Sequence, residues 1–375
     1  MADDATPCQV TSGVVIRWRD GNVVSVTRDR RGVREVVVTT TDGEVSALAY
    51  TALVGEPDVG DRVLLNTTAI ALGLGTGGYA MVVAIPDRLP ADRDEPGHVV
   101  KARYTPLQAT VLAVDEQDSP DHETLRDADT IDGMPVVVAD LHSALPAILA
   151  GLRAGGRSPR VVYVMTDGGA LPLAFSRAVE TLAEAGWLAA TVTVGQAYGG
   201  DVEAVTLHTG LLAARHVLGA DLAVVTQGPG NVGTGTRWGF SGVASGEAVN
   251  ATAVLNGRAV AALRISEADQ RARHRGVSHH SLTALGRVAL APADVVVPAL
   301  PGDFGATVRA AAASLSPPHQ LIDVSVDGLR EALDASPVAM STMGRDIDED
   351  AAYFLGCAAT GRHAASLLPL LPTQR

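Results

Sequence analysis

The segment Arg160-Val-Val-Tyr-Val-Met-Thr-Asp-Gly-Gly169 decides the fold class of this chain. Its apolar run is continuous instead of alternating, which is typical of a parallel strand buried on both faces. A helical pattern follows at Pro172–Ala185, and a second apolar run follows at Ala189–Val194. This order of strand, helix and strand predicts a βαβ unit, and therefore a parallel sheet covered by helices.

The same alternation continues on both sides of this segment, from Met134 onward. Further apolar runs predict strands at Pro135–Ala139, Asp221–Thr226, Val260–Ile265, Val295–Ala299 and Gln320–Val324. Helical patterns separate them at Glu203–Leu218, Gly246–Asn256, Phe304–Ser314 and Val326–Ala335, and a closing helix is expected at Asp346–Leu368. Residues 134–375 are therefore predicted to form a mostly parallel, open α/β sheet domain that carries the candidate site.

Residues 1–112 follow a different pattern, with short strands and tight turns. Asp-Gly pairs at Asp20-Gly21 and Asp42-Gly43 predict hairpin turns, and at least six strands are expected between Gln9 and Pro86. No helical period is evident there, so we expect a small N-terminal β-barrel-like domain, closed or partly closed. The acidic segment at residues 113–133 is expected to be a linker or a lid between the two domains.

Composition narrows the class of protein. A length of 375 residues suits two domains, and a net charge of −13 argues against a protein that neutralises nucleic-acid phosphates. No apolar run has the ~18–20 residues of a membrane span, and the acidic N-terminus lacks the features of a signal peptide. Cys8 and Cys357 are too few for a disulfide framework or a zinc cluster. We expect a cytoplasmic protein without a nucleic-acid or membrane partner; homo-oligomerisation stays open.

Polar residues follow four consecutive strands of the predicted sheet. The first strand leads into Asp140 and His142, the second into Asp167, the third into Gly195-Gln196 and the fourth into Gln227. Ligands of open parallel sheets bind at the carboxyl ends of the strands, so these ends predict a cleft. Asp140, His142 and Asp167 could supply acid–base chemistry or bind a metal. Capping of the following helices is the alternative role for the two aspartates.

The glycine-rich segment Gly228–Gly239 follows the fourth strand. It matches G-x-G-x-x-G as Gly228-Pro-Gly-Asn-Val-Gly, but Pro229 removes a backbone donor and no helix is expected before about Gly246. Backbone N–H groups, hydroxyls and a guanidinium could instead bind an anion, while a structural loop is the alternative. The candidate ligand-binding residues are Gln227, Gly228, Gly230, Asn231, Gly233, Thr234, Gly235, Thr236 and Arg237.

Two further features carry titratable groups. The segment Arg271–His280 contains three arginines and three histidines, of which His279 and His280 are candidate catalytic residues together with Lys101. Histidines can contact an anionic substrate, transfer protons or bind a metal, but the spacing here matches no zinc signature and a solvated loop remains an alternative. On a strand, adjacent histidines face opposite ways, so only one of the pair would enter a site. Lys101 is the only lysine among 29 basic residues, and a persisting lysine suggests a need for an amine with a tunable pKa, although chance survival is equally open.

Four segments of the chain resemble a known family. They are Val59–Ala69, Gly97–Gln108, Met165–Pro172 and Thr226–Gly239. Together they resemble a bacterial family catalogued only as a domain of unknown function, number 3866. The resemblance spans most of the chain, and it implies no reaction and no catalytic residue.

The sequence favours an α/β hydrolase or transferase that binds a small anionic metabolite, with phosphorylated compounds among the candidates. The glycine-rich segment with Arg237 would hold the anion, and Asp140, His142 or Asp167 would supply acid–base chemistry. His279 or His280 and Lys101 would complete the site. Redox chemistry is disfavoured because no dinucleotide fingerprint stands up to its structural context. A non-catalytic ligand sensor or scaffold with a protein partner is the alternative, and cofactor and metal are left open.

Overall fold

A computed structural model describes residues 15–74, 77–92, 94 and 96–369. Its backbone divides into two compact units, Met1–Asp92 and Arg93–Arg375. Cys8 and the start of the first predicted strand lie outside the described residues, as do residues 75 and 76. The division falls earlier than the predicted boundary at residue 112, because the short hairpin that follows residue 98 belongs to the second unit.

The first unit is a closed barrel of five strands in the order β1-β2-β3-β5-β4, as the sequence predicted in outline. Alternate residues of these strands, among them Val36, Val38, Val63 and Leu65, are buried in its core. The strands are β1 (Trp18–Arg30), β2 (Val33–Thr40), β3 (Gly43–Tyr50), β4 (Arg62–Asn66) and β5 (Ala80–Ala84), with short helices α1 (Thr51–Val54) and α2 (Thr68–Ala71).

The hairpin turn predicted at Asp20-Gly21 is wrong. Strand β1 runs without a break through these residues, and Gly21 pairs with Thr40 on one side and with Val63 on the other. A side chain at Gly21 would overlap the carbonyl oxygen of Thr39, so the glycine is needed for close backbone approach. The pair at Asp42-Gly43, in contrast, does lie at the turn between β2 and β3.

The second unit is built on an eight-stranded, fully parallel sheet in the order β11-β10-β9-β12-β8-β13-β16-β17. Its strands are β8 (Pro135–Val138), β9 (Val161–Thr166), β10 (Ala190–Thr193), β11 (Val202–Glu203), β12 (Leu222–Gln227), β13 (Arg258–Ala262), β16 (Asp294–Ala299) and β17 (Gln320–Ser325). Within the described part of this unit, three antiparallel pairs accompany the sheet: β6 (Val99–Lys101) with β7 (Ala109–Val111), β14 (Ile265–Ser266) with β15 (Gly276–Val277), and β18 (Ser341–Thr342) with β19 (Arg345–Asp346).

Helices cover both faces of the sheet and form two separate apolar cores. One face carries α4 (Ala144–Arg153), α5 (Arg177–Glu184), α10 (Leu329–Asp334) and α11 (Ala351–Ser366). The other carries α3 (His122–Leu125), α6 (Leu207–His216), α7 (Ala244–Val254), α8 (His279–Thr283) and α9 (Gly302–Ala312). The predicted open α/β domain is thus confirmed. Among the helices that the structure describes, none combines the length and apolar character needed to cross a membrane.

The order of the central strands creates a topological switch point. Strand β12 lies between β9 and β8, and the connections from β8 and β9 enter helices α4 and α5 on one face. The connection from β12 enters α7 on the opposite face. Neighbouring strands whose connections leave on opposite faces open a crevice at their carboxyl ends, which is where open α/β sheets bind ligands.

The segment at residues 113–133 does not behave as a free linker or lid. Val114, Leu125 and Ile131 are buried in the core of the second unit. The carboxylate of Glu116 accepts hydrogen bonds from the backbone N–H groups of His98 and Ala113. Its acidic composition suggested a solvated connection, but apolar residues at intervals pack the segment against the sheet domain.

Candidate functional site

Asp140 lies at the switch point, directly beyond β8. Its side chain is buried, with 7% of its surface exposed, and its Oδ2 atom has no hydrogen-bond partner. Burial raises the pKa of this carboxyl, and the positive charge of Arg264 partly opposes that shift. Leaving a buried polar group unpaired costs about 1–3 kcal/mol, and more for a charged group. The N-cap position of α4 is occupied by Ser143, so the capping alternative is not supported for Asp140.

Gln227, at the end of β12, shares a narrow cavity with Asp140. The side-chain amide of Gln227 donates to the carbonyl of Asp140 at 2.8 Å and to Oδ1 of Asn231 at 2.9 Å, whereas its Oε1 is buried and unpaired. Hydroxyl groups of Thr166, Thr226, Ser241 and Ser245 belong to residues that line the same cavity. The space open to the centre of a water molecule is about 10 Å³, which is about the minimum needed to hold one water.

Arg264 connects this cavity with the histidine cluster, defined as His274, His279 and His280. It follows β13 and is 4% exposed, and its guanidinium donates to Nδ1 of His280 at 3.3 Å. Among the described residues, no carboxylate lies within ion-pairing distance of Arg264. Its charge nevertheless acts on the Asp140 carboxyl. The carboxyl ends of β8, β12 and β13 therefore bring an unpaired acid and a buried cation together.

The histidine cluster is a compact group of three imidazoles. The ring centroids of His279 and His280 lie 4.4 Å apart. The ring centroid of His274 lies 4.7 Å from that of His280 and 5.0 Å from that of His279. One ligand atom from each ring lies within 4.8 Å of the others, so the cluster could hold a metal ion. Burial lowers the pKa of His274 to about 4 and that of His280 to about 3, with Arg264 contributing to both shifts. Both shifts favour the neutral form of these two rings.

Sequence reasoning about the adjacent histidines was wrong, because they do not lie on a strand. His279 and His280 begin the short helix α8, which is capped by Ser278, and both rings approach His274 from the preceding turn. Phe240 stacks on His280 with ring centroids 3.8 Å apart. A π-helical turn, Ala284–Val288, follows α8, and such turns occur frequently at functional sites.

Exposed arginines surround the histidine cluster. Burial is the main cause of the lowered pKa of His279, and the charges of Arg273, Arg264, Arg237 and Arg271 lower it further. Arg271 is engaged in a bidentate pair with Asp269, at 2.9 and 2.8 Å. Arg237 and Arg273 are exposed and make no ion pair with any described residue. They are the groups that could contact an anion.

Much of the glycine-rich segment is bonded within itself. Gly228 is buried, and a side chain there would overlap the carbonyl of Ala170, so its glycine serves close packing of two turns. Thr234 and Thr236 bond to each other and to the backbone of Gly239, which closes the loop. Gly230, Gly233 and Gly235 lie in the exposed part of the segment. This arrangement supports the structural-loop alternative for most of these residues, with Arg237 as the exception.

His142 is held in a structural network. Its Nδ1 lies 3.0 Å from the Tyr163 hydroxyl and its Nε2 lies 2.7 Å from Oγ of Ser176. Burial lowers the pKa of His142 to about 4. Ser176 is itself buried and caps α5 by accepting from Val179 N–H. Both ring nitrogens are therefore occupied, which favours a packing role for His142 over the predicted catalytic one.

Asp167 and the Lys101 amine lie near the ends of β9 and β10, on the other side of β12 from β8. Asp167 accepts a hydrogen bond from the backbone N–H of Gln196 at 2.8 Å and contributes to the electrostatic environment of Lys101. Lys101 is fully buried, and its amine donates to the carbonyls of Ala197 and Ala204 and lies 3.4 Å from Glu203. The amine therefore has two carbonyl acceptors and one carboxylate neighbour. This arrangement favours a structural role for Lys101.

Sequence reasoning missed two residues of this site. Arg264 was not singled out, since burial of an arginine leaves no local sequence signal. Gly242 packs against Asp140, and a side chain at Gly242 would approach Cβ of Asp140 to 2.9 Å. The sequence pattern of one strand end cannot reveal which distant glycine closes over it.

The chain belongs to the family described as "Protein of unknown function (DUF3866)", whose model matches residues 46–361. This match confirms the resemblance seen in the sequence. No curated protein matches the chain, and no solved structure does.

Proposed function

We propose that this protein is an α/β hydrolase or transferase that acts on a small anionic metabolite at the carboxyl edge of its parallel sheet, in the cytoplasm. The observation that carries the proposal is the buried, unpaired carboxyl oxygen of Asp140 at the switch point. A buried acid with a raised pKa in a crevice is a candidate general acid or base. The neighbouring cations supply the attraction for an anion.

In this proposal Asp140 exchanges a proton with the reacting group or with a water in the narrow cavity. Gln227 lines the same space, and its Oε1 is buried and unpaired. The bulk of the metabolite lies outside the cavity, where Arg237 and Arg273 neutralise its charge. The hydrogen bonds within the glycine-rich segment position Arg237. The backbone N–H groups of this segment need not bind the anion.

A thermal-shift screen tests the proposal, using inorganic phosphate, nucleotides and sugar phosphates on the purified protein. A ligand at ~100 times its dissociation constant should add about 2.7 kcal/mol of stability. We expect Arg273→Ala and Arg237→Ala to reduce the shift, because each removes a cation near the crevice. Arg215→Ala is the matched control, since Arg215 lies in the last turn of α6, near the amino-terminal edge of the sheet.

Turnover of the identified ligand then separates the enzyme from the alternative sensor. Asp140→Asn should abolish turnover while the thermal shift persists. A ligand shift without any turnover in the wild-type protein would favour the sensor. If none of the anions shifts the melting temperature, the anionic-metabolite proposal is wrong.

A further inference from the structure

We propose that the histidine cluster, His274, His279 and His280, binds one divalent transition metal ion, with Zn²⁺ as the best fit. Three imidazoles from a single short segment converge so that one nitrogen of each lies within 4.8 Å of the others. Imidazole nitrogen suits zinc, and three protein ligands leave one coordination position for water or substrate. This inference adds a metal cofactor to the proposed function. Metal binding can nevertheless be measured independently of any enzymatic activity.

The second observation is an unpaired nitrogen. Nε2 of His279 is buried and has no hydrogen-bond partner, although this residue sits next to two others that also offer ligand atoms. A neutral imidazole nitrogen left unpaired at such a position costs free energy that a metal bond would recover. By contrast, both nitrogens of His319, a buried histidine elsewhere in the same unit, have partners: Ala293 N–H and the carbonyl of Leu285.

The cluster needs only a small adjustment to coordinate zinc. With Zn–N bonds of about 2.0–2.1 Å in a tetrahedral site, two ligand nitrogens lie about 3.3 Å apart. The ligand nitrogens lie within 4.8 Å of one another, so the rings must close by up to about 1.5 Å. Nδ1 of His274 already contacts Oγ of Ser278 at 2.7 Å, which is the second bond that commonly orients a metal-binding imidazole.

The segment that carries the ligands is well fixed. Asp269 pairs with Arg271, and Asp350 accepts from Ser266 at 2.6 Å and from Arg345 at 2.9 Å. Strand β15, which pairs with β14, lies between His274 and α8 in the chain and so fixes the position of both. A ligand set on a segment held at both ends loses less entropy on binding a metal than one on a free loop.

Arg264 is the group that opposes a cation here, because it donates to Nδ1 of His280. A metal that binds through this nitrogen has to displace the guanidinium. The unpaired carboxylate oxygen of Asp140 could accept a hydrogen bond from the displaced guanidinium. The charge of Arg264 already favours the ionised form of Asp140. Metal binding and the ionised state of Asp140 would then support each other.

The experiment is equilibrium dialysis of tag-free protein against Zn²⁺ in the presence of excess Mg²⁺, with zinc measured per chain. We expect one tightly bound zinc in the wild type and at least about tenfold weaker binding in His279→Ala, since loss of a ligand costs more than loss of an outer hydrogen bond. His216→Ala is the control: this histidine lies in the last turn of α6 and should leave binding unchanged. Substitution with Co²⁺ should give the visible absorption of a low-coordinate site.

The outcomes are separable. His279→Ala removes no hydrogen bond, so a folded variant is expected; circular dichroism checks this, and His280→Ala serves as a second variant. Absence of stoichiometric zinc in the folded wild type, or equal zinc binding in all variants, overturns the metal inference. Zinc binding without turnover leaves the inference standing and counts against the proposed enzyme. Turnover that survives complete removal of metal supports the enzyme and removes the metal from its mechanism.

Discussion

Asp140 is a residue whose environment favours its neutral form. The folded state raises its pKa above the value near 3.9 of an unfolded chain, so between the two values the folded protein binds more protons. Stability therefore falls as pH rises through this window. Comparison of Asp140→Asn with wild type should show a relative gain for the variant as the pH increases, by urea unfolding from about pH 4 to about pH 8. If the difference in unfolding free energy between the two proteins does not change with pH, the pKa of Asp140 is not raised in the folded protein.

His142 predicts the opposite pH dependence. Its pKa is lowered to about 4 by burial, below the unfolded value near 6.5, so the unfolded chain binds more protons between these values. The stability that wild type gains from a neutral His142 is full above pH 6.5 and is lost as the pH falls toward 4. His142→Leu should cost about 1–3 kcal/mol at neutral pH because Tyr163 and Ser176 lose a partner. The deficit should shrink on acidification, and ligand shifts should survive; their loss would restore a role for His142 in the site.

Helices α4 and α11 show how small residues set the distance between elements. A Cβ at Gly151 would overlap the carbonyl of Ala358, and one at Gly361 would overlap the carbonyl of Ile148, so each helix has a glycine against the backbone of the other. Gly151→Ala should therefore destabilise the protein by about 1–3 kcal/mol or more. Gly155→Ala is the control, because that exposed position has free space around it and should change stability by less than about 1 kcal/mol. Urea unfolding compares them; equal stabilities would mean that the helices can separate at no cost.

Elements were the part of the fold that sequence patterns predicted best. Seven apolar runs correspond to β8, β9, β10, β12, β13, β16 and β17, because continuous apolar strands between amphipathic helices have a strong local signal. Strand β11, only Val202–Glu203, was missed, since two residues carry no period. The turn at Gly21 was misread because the same Asp-Gly pair serves tight turns and close strand contacts.

The site could be predicted only in part, for a related reason. Asp140 was identified because polar residues at strand ends are visible in the chain. Its separation from Lys101 and Asp167 depends on strand order, which places β12 between β8 and β9 and is decided by long-range packing. The three histidines converge because Ser278 caps α8 and so starts the helix at His279. Arg264 is buried by residues that are distant in the sequence, which a local pattern does not reveal.

At the scale of the whole molecule, all of the candidate site residues lie in the second unit. We expect residues 93–375, expressed alone, to unfold cooperatively and to retain the ligand shift and zinc binding of the full chain. Circular dichroism during urea unfolding and the same binding measurements check this. A fragment that folds but binds neither ligand nor zinc would show that the first unit contributes to the site.

The complete burial of Lys101 has a consequence for chemical modification. Because it is the only lysine, no side-chain amine of the described structure is accessible to acylating reagents while the protein is folded. Acylation at Lys101 then requires local opening of the β6–β7 hairpin from its acceptors, and its rate, measured by peptide mass mapping, reports the free energy of that opening. If labelling of the wild type is slow and becomes faster in Glu203→Gln, the hairpin opens separately from the rest of the unit, and the labelling rate of this one amine measures how often it opens.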